Sequence, residues 1–196
     1  MLQLRKAAPD DLDFLVATDL GVDIEDAPGE PLYMDHWSDA ERVGHRAKIL
    51  SFIVDPNKTA LVIEETDVRL PVGMLLGLFR DRRHEPHSEE YDFLFRFIDE
   101  SVLPPDGQFA EVFQLWVHPA YRRRGLATDL KNQFEREARG RGIHMLYTHT
   151  RERNAGVIAL NHKLGYTDIR CGPMWDDTVR VSMVKALDAM PGISGI

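Results

Sequence analysis

Hydrophobic and polar positions along the 196-residue chain follow two repeats, which predict an alternation of strands and helices. Apolar-rich runs at residues 2–7, 59–65 and 70–80 predict strands, and the last two are close enough in sequence to form an antiparallel hairpin. Apolar residues at helical spacing after Pro9 predict a first helix, because proline is favoured at a helix start. Ser38 is a candidate N-cap for a second helix.

The second half of the chain continues this alternation without a linker or an internal repeat. We predict strand, helix, strand, helix, strand and strand at residues 109–117, 125–139, 143–150, 155–164, 166–170 and 178–187. The order β-α-α-β-β-β-α-β-α-β-β indicates an α/β fold with a mixed sheet and helices on both faces. We expect a single domain over residues 1–196, with an insertion at 81–106 that carries one short helix.

Composition narrows the class of protein. A net charge of −8 argues against nonspecific binding to nucleic acid or to an anionic membrane surface. The single cysteine, Cys171, excludes an internal disulfide and suits a reducing compartment. The charged N-terminal residues do not resemble a signal peptide, and the longest apolar run is too short to span a membrane. We therefore expect a cytoplasmic protein with no nucleic-acid or membrane partner.

The clearest candidate site follows the strand at 109–117, where a basic turn leads into a helix. The first N–H groups of a helix lack intrahelical partners and lie at the positive end of its dipole, so they favour anions. Three consecutive arginines, Arg122–Arg124, add positive charge, and Gly125 and Ala127 leave room beside the backbone. The P-loop pattern and the three-glycine Rossmann spacing are both missing. We therefore predict a diphosphate-binding turn of another kind.

Two motifs in this half of the chain resemble the cofactor motifs of the GNAT N-acetyltransferase superfamily. Residues 122–127, RRRGLA, fit the family's Q/R-x-x-G-x-G/A signature. Residues 154–166, NAGVIALNHKLGY, are similar to its second motif, N-x-x-A-x-x-L-Y-x-K-x-G-F/Y. The resemblance implies a central mixed, mostly antiparallel sheet with splayed parallel central strands. It also implies acetyl-coenzyme A (acetyl-CoA) as the acyl donor and no metal.

The resemblance also implies which residues contact the coenzyme. The backbone groups of Leu115 and Val117 would face the pantetheine arm, and the Val117 N–H would stabilise the oxyanion of the tetrahedral intermediate. Asn154 would face the same arm, although an asparagine there is equally suited to cap the helix that follows. The predicted cofactor-binding residues are Leu115, Val117, Arg122, Arg123, Arg124, Gly125, Leu126, Ala127, Thr128, Asn154 and Asn161.

Asn161 departs from the family pattern, because many members have a tyrosine there that protonates the leaving thiolate. An asparagine side chain cannot act as a general acid at neutral pH. Tyr147 and Tyr166 are other candidates for that role. An acid is not essential, since an alkyl thiol with a pKa of about 8.5 leaves tolerably well as the anion.

Glu111 is the candidate general base. It is the only carboxylate in an apolar run on the strand that also carries Val117, and burial among apolar neighbours would raise its pKa. The resemblance extends to histone-type family members, in which the glutamate after Phe-Ala is the base. The alternative is a glutamate that meets only solvent or a cation.

A run of acidic residues is the main signal on the acceptor side. Eight acidic residues and no lysine or arginine lie between Asp19 and Glu41, in the region from which the family forms one lip of its acceptor site. Negative charge there would attract a cationic amine, and aromatic faces would hold an ammonium group. The alternative is a solvated acidic loop. The predicted acceptor-binding residues are Asp26, Glu30, Tyr33, Trp37 and Asp176.

These predictions combine into one leading function and one alternative. The leading function is an N-acetyltransferase that moves an acetyl group from acetyl-CoA to a primary amine of a cationic small molecule or peptide, by direct attack in a ternary complex. Glu111 and Val117 are its predicted catalytic residues. The alternative is a noncatalytic acyl-CoA-binding module. We expect a monomer or a homodimer.

Overall fold

The computed structural model describes residues 1–26, 37–84, 100–174 and 176–187. The helices are α1 (Leu12–Asp26), α2 (Asp39–Val54), α3 (Leu126–Gly140) and α4 (Ala155–Lys163). The strands are β1 (Leu2–Lys6), β2 (Lys58–Glu65), β3 (Leu70–Asp81), β4 (Gln108–Val117), β5 (Met145–Arg151), β6 (Thr167–Met174) and β7 (Asp176–Ala186). The helix predicted inside the 81–106 insertion spans residues 91–103, of which 91–99 lie outside the described ranges.

The strands form one mixed sheet in the order β1-β2-β3-β4-β5-β7-β6. The pairs β1–β2, β2–β3, β5–β7 and β6–β7 are antiparallel, as the prediction of a mostly antiparallel sheet requires. Strands β4 and β5 are parallel, and their ladder consists of three pairs, which join residues 110–112 to residues 146–148. Strand β4 continues for five residues beyond that ladder, so the prediction of splayed parallel strands is confirmed.

The two N-terminal helices begin as the sequence predicts, but α1 ends later. The Ser38 hydroxyl accepts a hydrogen bond from the Glu41 N–H at 3.3 Å, and the Glu41 carboxylate accepts one from the Ser38 N–H at 2.6 Å. This capping box confirms the predicted start of α2. The glycine at position 21 predicts a loop, but α1 continues to Asp26 because one glycine inside a helix costs only about 1 kcal/mol.

The fold divides into two compact units. The first comprises Met1–Leu78 and Phe113–Lys131, and its core packs α1 and α2 against β2 and β3. Met74 and Leu76 lie in that core, whereas a side chain added at the intervening Gly73 would meet Leu130 of α3 at 3.5 Å. Helices therefore cover both faces of this part of the sheet, as predicted.

The second unit comprises Phe79–Val112 and Asn132–Ile196. Its core includes Phe109 of β4, Tyr147 of β5 and Met174 of β6, which are fully buried. The Phe109 and Tyr147 rings pack edge to face with their centroids 6.3 Å apart. This core surrounds the part of β4 that carries Glu111. None of the helices in the described ranges is long and apolar enough to span a membrane.

Candidate cofactor and catalytic site

The basic turn that precedes α3 has the backbone geometry of an anion site. Arg123 has φ of 64° and Gly125 has φ of 86°, so two residues of the turn adopt left-handed conformations before the helix begins at Leu126. Such turns point successive N–H groups into one concavity, which binds anions. The space beside Gly125 is open, because an added Cβ would meet no atom within 4 Å. The turn can therefore accept a phosphate group close to its backbone.

The three arginines of this turn do not have the same surroundings. All three are exposed, but the Arg122 Nε donates a hydrogen bond to the Val117 carbonyl at 2.9 Å, which ties the turn back to the end of β4. The Arg124 guanidinium instead lies over the Tyr121 ring, 5.0 Å from its centroid. Arg122 and Arg124 therefore have different contacts, and the predicted binding of the diphosphate by the three arginines remains a prediction.

Tyr121 connects this turn to the hairpin. Its hydroxyl donates a hydrogen bond to the Glu65 carboxylate at the end of β2. The hydrogen bond to Glu65 raises the pKa of Tyr121, and burial and the negative charge of Glu65 act in the same direction. The Glu65 carboxylate is therefore engaged in a structural contact with the turn.

The end of β4 carries the two residues, Leu115 and Val117, whose backbone groups are predicted to face the coenzyme. The Val117 side chain is buried, and Leu115 is half-buried. The Val117 carbonyl accepts a hydrogen bond from the Arg122 side chain, which connects the end of β4 to the basic turn. The roles predicted for the Leu115 backbone and for the Val117 N–H remain predictions.

Glu111 is buried as the sequence suggests, but it has a cationic partner. The residue is 2% exposed, and its Oε2 accepts a hydrogen bond from the Arg80 Nε at 2.5 Å. Arg80 lies near the end of β3, and 13% of its side chain is exposed. The expectation of a carboxylate surrounded only by apolar groups is therefore wrong. The charge-assisted hydrogen bond from the guanidinium fixes the position of the carboxylate.

Three further polar side chains lie beside Glu111 in the second unit. Tyr147 is the ladder partner of Glu111 on β5, and its hydroxyl donates to the Ser182 hydroxyl at 3.2 Å. His149 follows two residues later on the same face of β5, and its ladder partner on β7 is Ser182. Burial lowers the pKa of His149, although the nearby charge of Glu111 opposes this effect. The imidazole is therefore neutral at pH 7 and can also accept a proton.

In the second cofactor motif, the side chain of Asn154 does not make the predicted capping contact. Asn154 precedes α4, but its side chain makes no capping hydrogen bond, and its backbone carbonyl accepts from the Val157 N–H at 3.0 Å. The prediction of a side-chain cap is therefore wrong. Asn161 is fully buried, and its Nδ2 donates to the Met183 Sδ at 3.2 Å. The predicted contact between Asn161 and a coenzyme remains a prediction.

The two tyrosines considered as acids for the thiolate are both buried. Burial raises the pKa of Tyr147 and of Tyr166, and Tyr147 already donates its proton to Ser182. A buried phenol with a raised pKa is a poor proton donor to an exposed leaving group. We therefore do not assign either tyrosine as the acid.

The predicted acceptor residues have mixed outcomes. Glu30 and Tyr33 lie outside the described residues, and Asp26 is described only as the last residue of α1. Trp37 packs on the His45 ring of α2 with the two centroids 5.2 Å apart.

Asp176, the last of the predicted acceptor residues, accepts hydrogen bonds from the Arg180 guanidinium at 2.5 and 3.0 Å. That hydrogen bonding lowers the pKa of Asp176 to about 2. The Asp176 carboxylate thus has an internal cationic partner, and its predicted contact with an acceptor remains a prediction.

Three functional candidates were not identified from the sequence. Arg80 and His149 flank Glu111 in the second unit, and Tyr121 supports the basic turn in the first. The signal for His149 was its alternation with Tyr147 on a predicted strand. The signal for Arg80 was a charged residue at the end of an apolar run. Across the residues that the structure describes, no three histidine, cysteine or acidic side chains are grouped so as to hold a metal ion.

Comparisons with known proteins agree with this geometry. An acetyltransferase of Pectobacterium atrosepticum is 35% identical over 66 residues, which are 34% of this chain and 47% of that protein. The match therefore spans about half the length of this curated relative.

Solved structures resemble the whole chain. Arabidopsis thaliana NAA60 in complex with a bisubstrate analogue has a TM-score of 0.67 at 15% identity, over 96% of this chain and 99% of that chain. NAA60 in complex with acetyl-CoA has a TM-score of 0.66 at 17% identity, over 95% and 98%. The ribosomal-protein-S18-alanine N-acetyltransferase from Escherichia coli has a TM-score of 0.59 at 18% identity, over 98% and 97%. At these identities the similarity shows the fold.

A family model supplies the assignment that the fold alone does not. The model for the acetyltransferase (GNAT) family matches residues 23–166, which include α2, the basic turn, β4, β5 and α4. The chain therefore belongs to the acetyltransferase (GNAT) family.

Proposed function

We propose that this protein is an N-acetyltransferase that transfers the acetyl group of acetyl-CoA to a primary amine. The observation that carries the proposal is the basic turn before α3, in which left-handed Arg123 and Gly125 precede a helix start with open space beside it. This geometry suits the diphosphate of a coenzyme. Membership of the GNAT family supports the reaction, and the acetyl-CoA complex of NAA60 supports the donor.

The donor would bind along the turn and the end of β4. Backbone N–H groups at the start of α3 and the exposed arginines would hold the diphosphate. Leu126 is buried and would contribute only its backbone, whereas Ala127 and Thr128 are half-buried in the first helical turn. The pantetheine arm would pair with the backbone of Leu115, as an added strand pairs with an exposed strand edge.

The acceptor amine must lose a proton before it attacks. A lysine-like amine has a pKa of about 10.4, so most of it arrives as the ammonium ion. We assign Glu111 as the base, because its buried carboxylate lies on the strand that carries Val117 and is held in position by Arg80. His149 is the second candidate, since it is neutral at pH 7 and lies beside Glu111.

The reaction would then proceed by direct attack in a ternary complex. The neutral amine nitrogen forms a bond to the thioester carbonyl carbon, and the negative charge on the oxygen is stabilised by the Val117 N–H. The attacking nitrogen then loses its second proton to solvent. Collapse of the intermediate breaks the carbon–sulfur bond and releases the coenzyme thiolate, which takes a proton from solvent. The products are an N-acetyl amide and the free thiol of CoA.

We propose a cationic small molecule or peptide as the acceptor. Because Arg180 compensates Asp176, the attraction must come chiefly from the acidic residues between Asp19 and Glu41. Such attraction acts between exposed charges and is screened beyond about 8 Å at physiological salt. A preference for polyamines over neutral amines that declines as salt rises would support this acceptor class. A salt-independent preference for neutral amines would exclude it.

A noncatalytic acyl-CoA-binding module is the second candidate, and the burial of Asn161 where many relatives have a tyrosine favours it. Calorimetric titration with acetyl-CoA, together with thiol detection over a panel of amines, separates the two functions. Donor binding with amine-dependent thiol release supports the enzyme. Donor binding without thiol release from any amine supports the module, and no donor binding contradicts both.

A further inference from the structure

We propose that Tyr121 is a positioning residue that holds the Arg124 guanidinium at the phosphate site of the coenzyme, and that Glu65 anchors Tyr121 for this purpose. The inference rests on the proposed function, because it assumes that the basic turn binds the phosphates of CoA. It assigns different roles to arginines that are consecutive in sequence.

The Tyr121 ring is held from two sides. Its hydroxyl donates to the Glu65 carboxylate at the end of β2. Its ring also packs edge to face on the His118 ring, with the centroids 5.6 Å apart. His118 is itself attached to β3, because its N–H donates to the Val72 carbonyl at 2.9 Å. Two neighbouring strands therefore fix the position of a ring that belongs to a surface turn.

Arg124 rests on this fixed ring. The centre of its guanidinium lies 5.0 Å from the Tyr121 ring centroid, within the range of a cation–π contact. Such a contact uses none of the five N–H donors of the arginine. Among the described residues Arg124 has no carboxylate partner, whereas the Arg122 Nε is bonded to the Val117 carbonyl. Arg124 is thus held by a contact that leaves its N–H donors for a phosphate.

The Tyr121 ring would increase the affinity for the coenzyme by holding Arg124 in place before binding. A free arginine side chain loses about 2 kcal/mol of rotamer entropy when it is immobilised, and this loss subtracts from ligand affinity. A ring that restricts Arg124 before the coenzyme arrives reduces that loss. The hydrogen bond from the Tyr121 hydroxyl to Glu65 restricts rotation of the ring.

The test compares CoA with pantetheine, which lacks the nucleotide half of CoA. The ratio of their Kd values measures the contribution of the diphosphate and the adenosine 3'-phosphate together, and the change of this ratio in a variant measures that side chain's part in it. Calorimetry would give this ratio for the wild type and for Arg124→Gln, Tyr121→Leu and Tyr121→Phe. Arg136→Gln on α3 is the matched control, because Arg136 is exposed and its guanidinium donates to Gln133, one turn away on the same helix.

We expect Arg124→Gln to lower the preference for CoA over pantetheine about 10-fold or more, the value for one charge-assisted hydrogen bond. Tyr121→Leu should lower it in the same direction, Tyr121→Phe by less, and Arg136→Gln not at all. Pantetheine affinity and the melting temperature should stay near wild type for Tyr121→Phe.

A double variant tests whether Tyr121 affects CoA binding through Arg124. If Tyr121 acts through Arg124, Tyr121→Leu should not lower the preference further in the Arg124→Gln background. An equal loss in both backgrounds, or an equal loss of affinity for CoA and pantetheine, would overturn the inference. This experiment measures binding and not acetyl transfer. A protein that binds CoA but transfers no acetyl group would contradict the proposed function, and the ratios of the Kd values for CoA and pantetheine would still decide this inference.

Discussion

The Arg80 Nε lies 2.5 Å from the Glu111 Oε2, and both side chains are largely removed from solvent. The pair joins the end of β3 to the middle of β4 within one compact unit. The guanidinium therefore fixes the position of the carboxylate that we assign as the general base. The pair also contributes to the stability of the fold, because a buried charge that loses its partner destabilises the folded state.

The Glu111→Gln variant tests the assignment of the base. Glutamine is nearly isosteric with glutamate but does not accept a proton at neutral pH. We expect kcat to fall by roughly 100-fold or more, the range for loss of a positioned base, while the Kd for CoA stays near the wild-type value. Steady-state kinetics and calorimetry would measure the two quantities. A near-normal kcat at pH 7 would transfer the role to His149, for which His149→Gln is the corresponding variant.

The stability of the buried pair can be measured separately from activity. Arg80→Met leaves the Glu111 carboxylate without its partner, and the expected loss is about 3–5 kcal/mol in the free energy of unfolding. The double variant Arg80→Met/Glu111→Leu should recover most of that loss, because it removes both charges together. Urea denaturation of the single and double variants gives the comparison. A loss below about 1 kcal/mol for Arg80→Met would mean that water or another group replaces the arginine.

Substitution of Gly125 tests the coenzyme turn. Gly125→Glu places a negative charge in the open space before α3, and its φ of 86° also disfavours any side chain. We expect CoA to raise the melting temperature of the wild type and to have no effect on Gly125→Glu. Gly125→Ala separates strain from charge and should retain part of the response. Gly140→Glu, at the other end of α3, is the control that should respond as the wild type does. A full response of Gly125→Glu would place the coenzyme elsewhere.

The lowered pKa of His149 predicts a dependence of stability on pH. Burial holds the pKa of His149 below its ordinary value of 6.5, so between these two values the unfolded chain binds a proton that the folded chain does not. Folding stability should therefore fall as the pH falls below about 6.5, until the folded histidine is itself protonated. His149→Gln should flatten this part of the curve, as measured by urea denaturation between pH 7 and pH 5. An unchanged slope would show that other groups control the acid response.

The order of elements could be predicted from the sequence because each depends on local signals. The hairpin of β2 and β3 follows from two apolar runs with a short connection, and the start of α2 follows from Ser38 and Glu41 three residues apart. The basic turn was also predictable, since its arginines, its glycine and the helix that follows are consecutive. These features arise from neighbours in the chain, so one sequence suffices to identify them.

The partners of the functional groups could not be predicted, because they are distant in sequence. Arg80 lies 31 residues before Glu111, and Tyr121 lies 56 residues after Glu65. Which charged side chains meet depends on strand register and on the direction of each side chain, and neither follows from composition. The same reason explains Asp176, which is an exposed acid by sequence pattern but accepts two hydrogen bonds from Arg180.

Transfer of a labelled acetyl group is the most direct test of the central claim. Wild-type protein would be incubated with acetyl-CoA labelled in its acetyl group and with a polyamine or a lysine-containing peptide, and the amine products would be analysed by mass spectrometry. For the wild type we expect an N-acetyl amine that carries the label and one free CoA thiol per acetyl group transferred. Both products should be strongly reduced in Glu111→Gln and Gly125→Glu. CoA binding without any labelled amide, across cationic and neutral amines alike, would contradict the central claim.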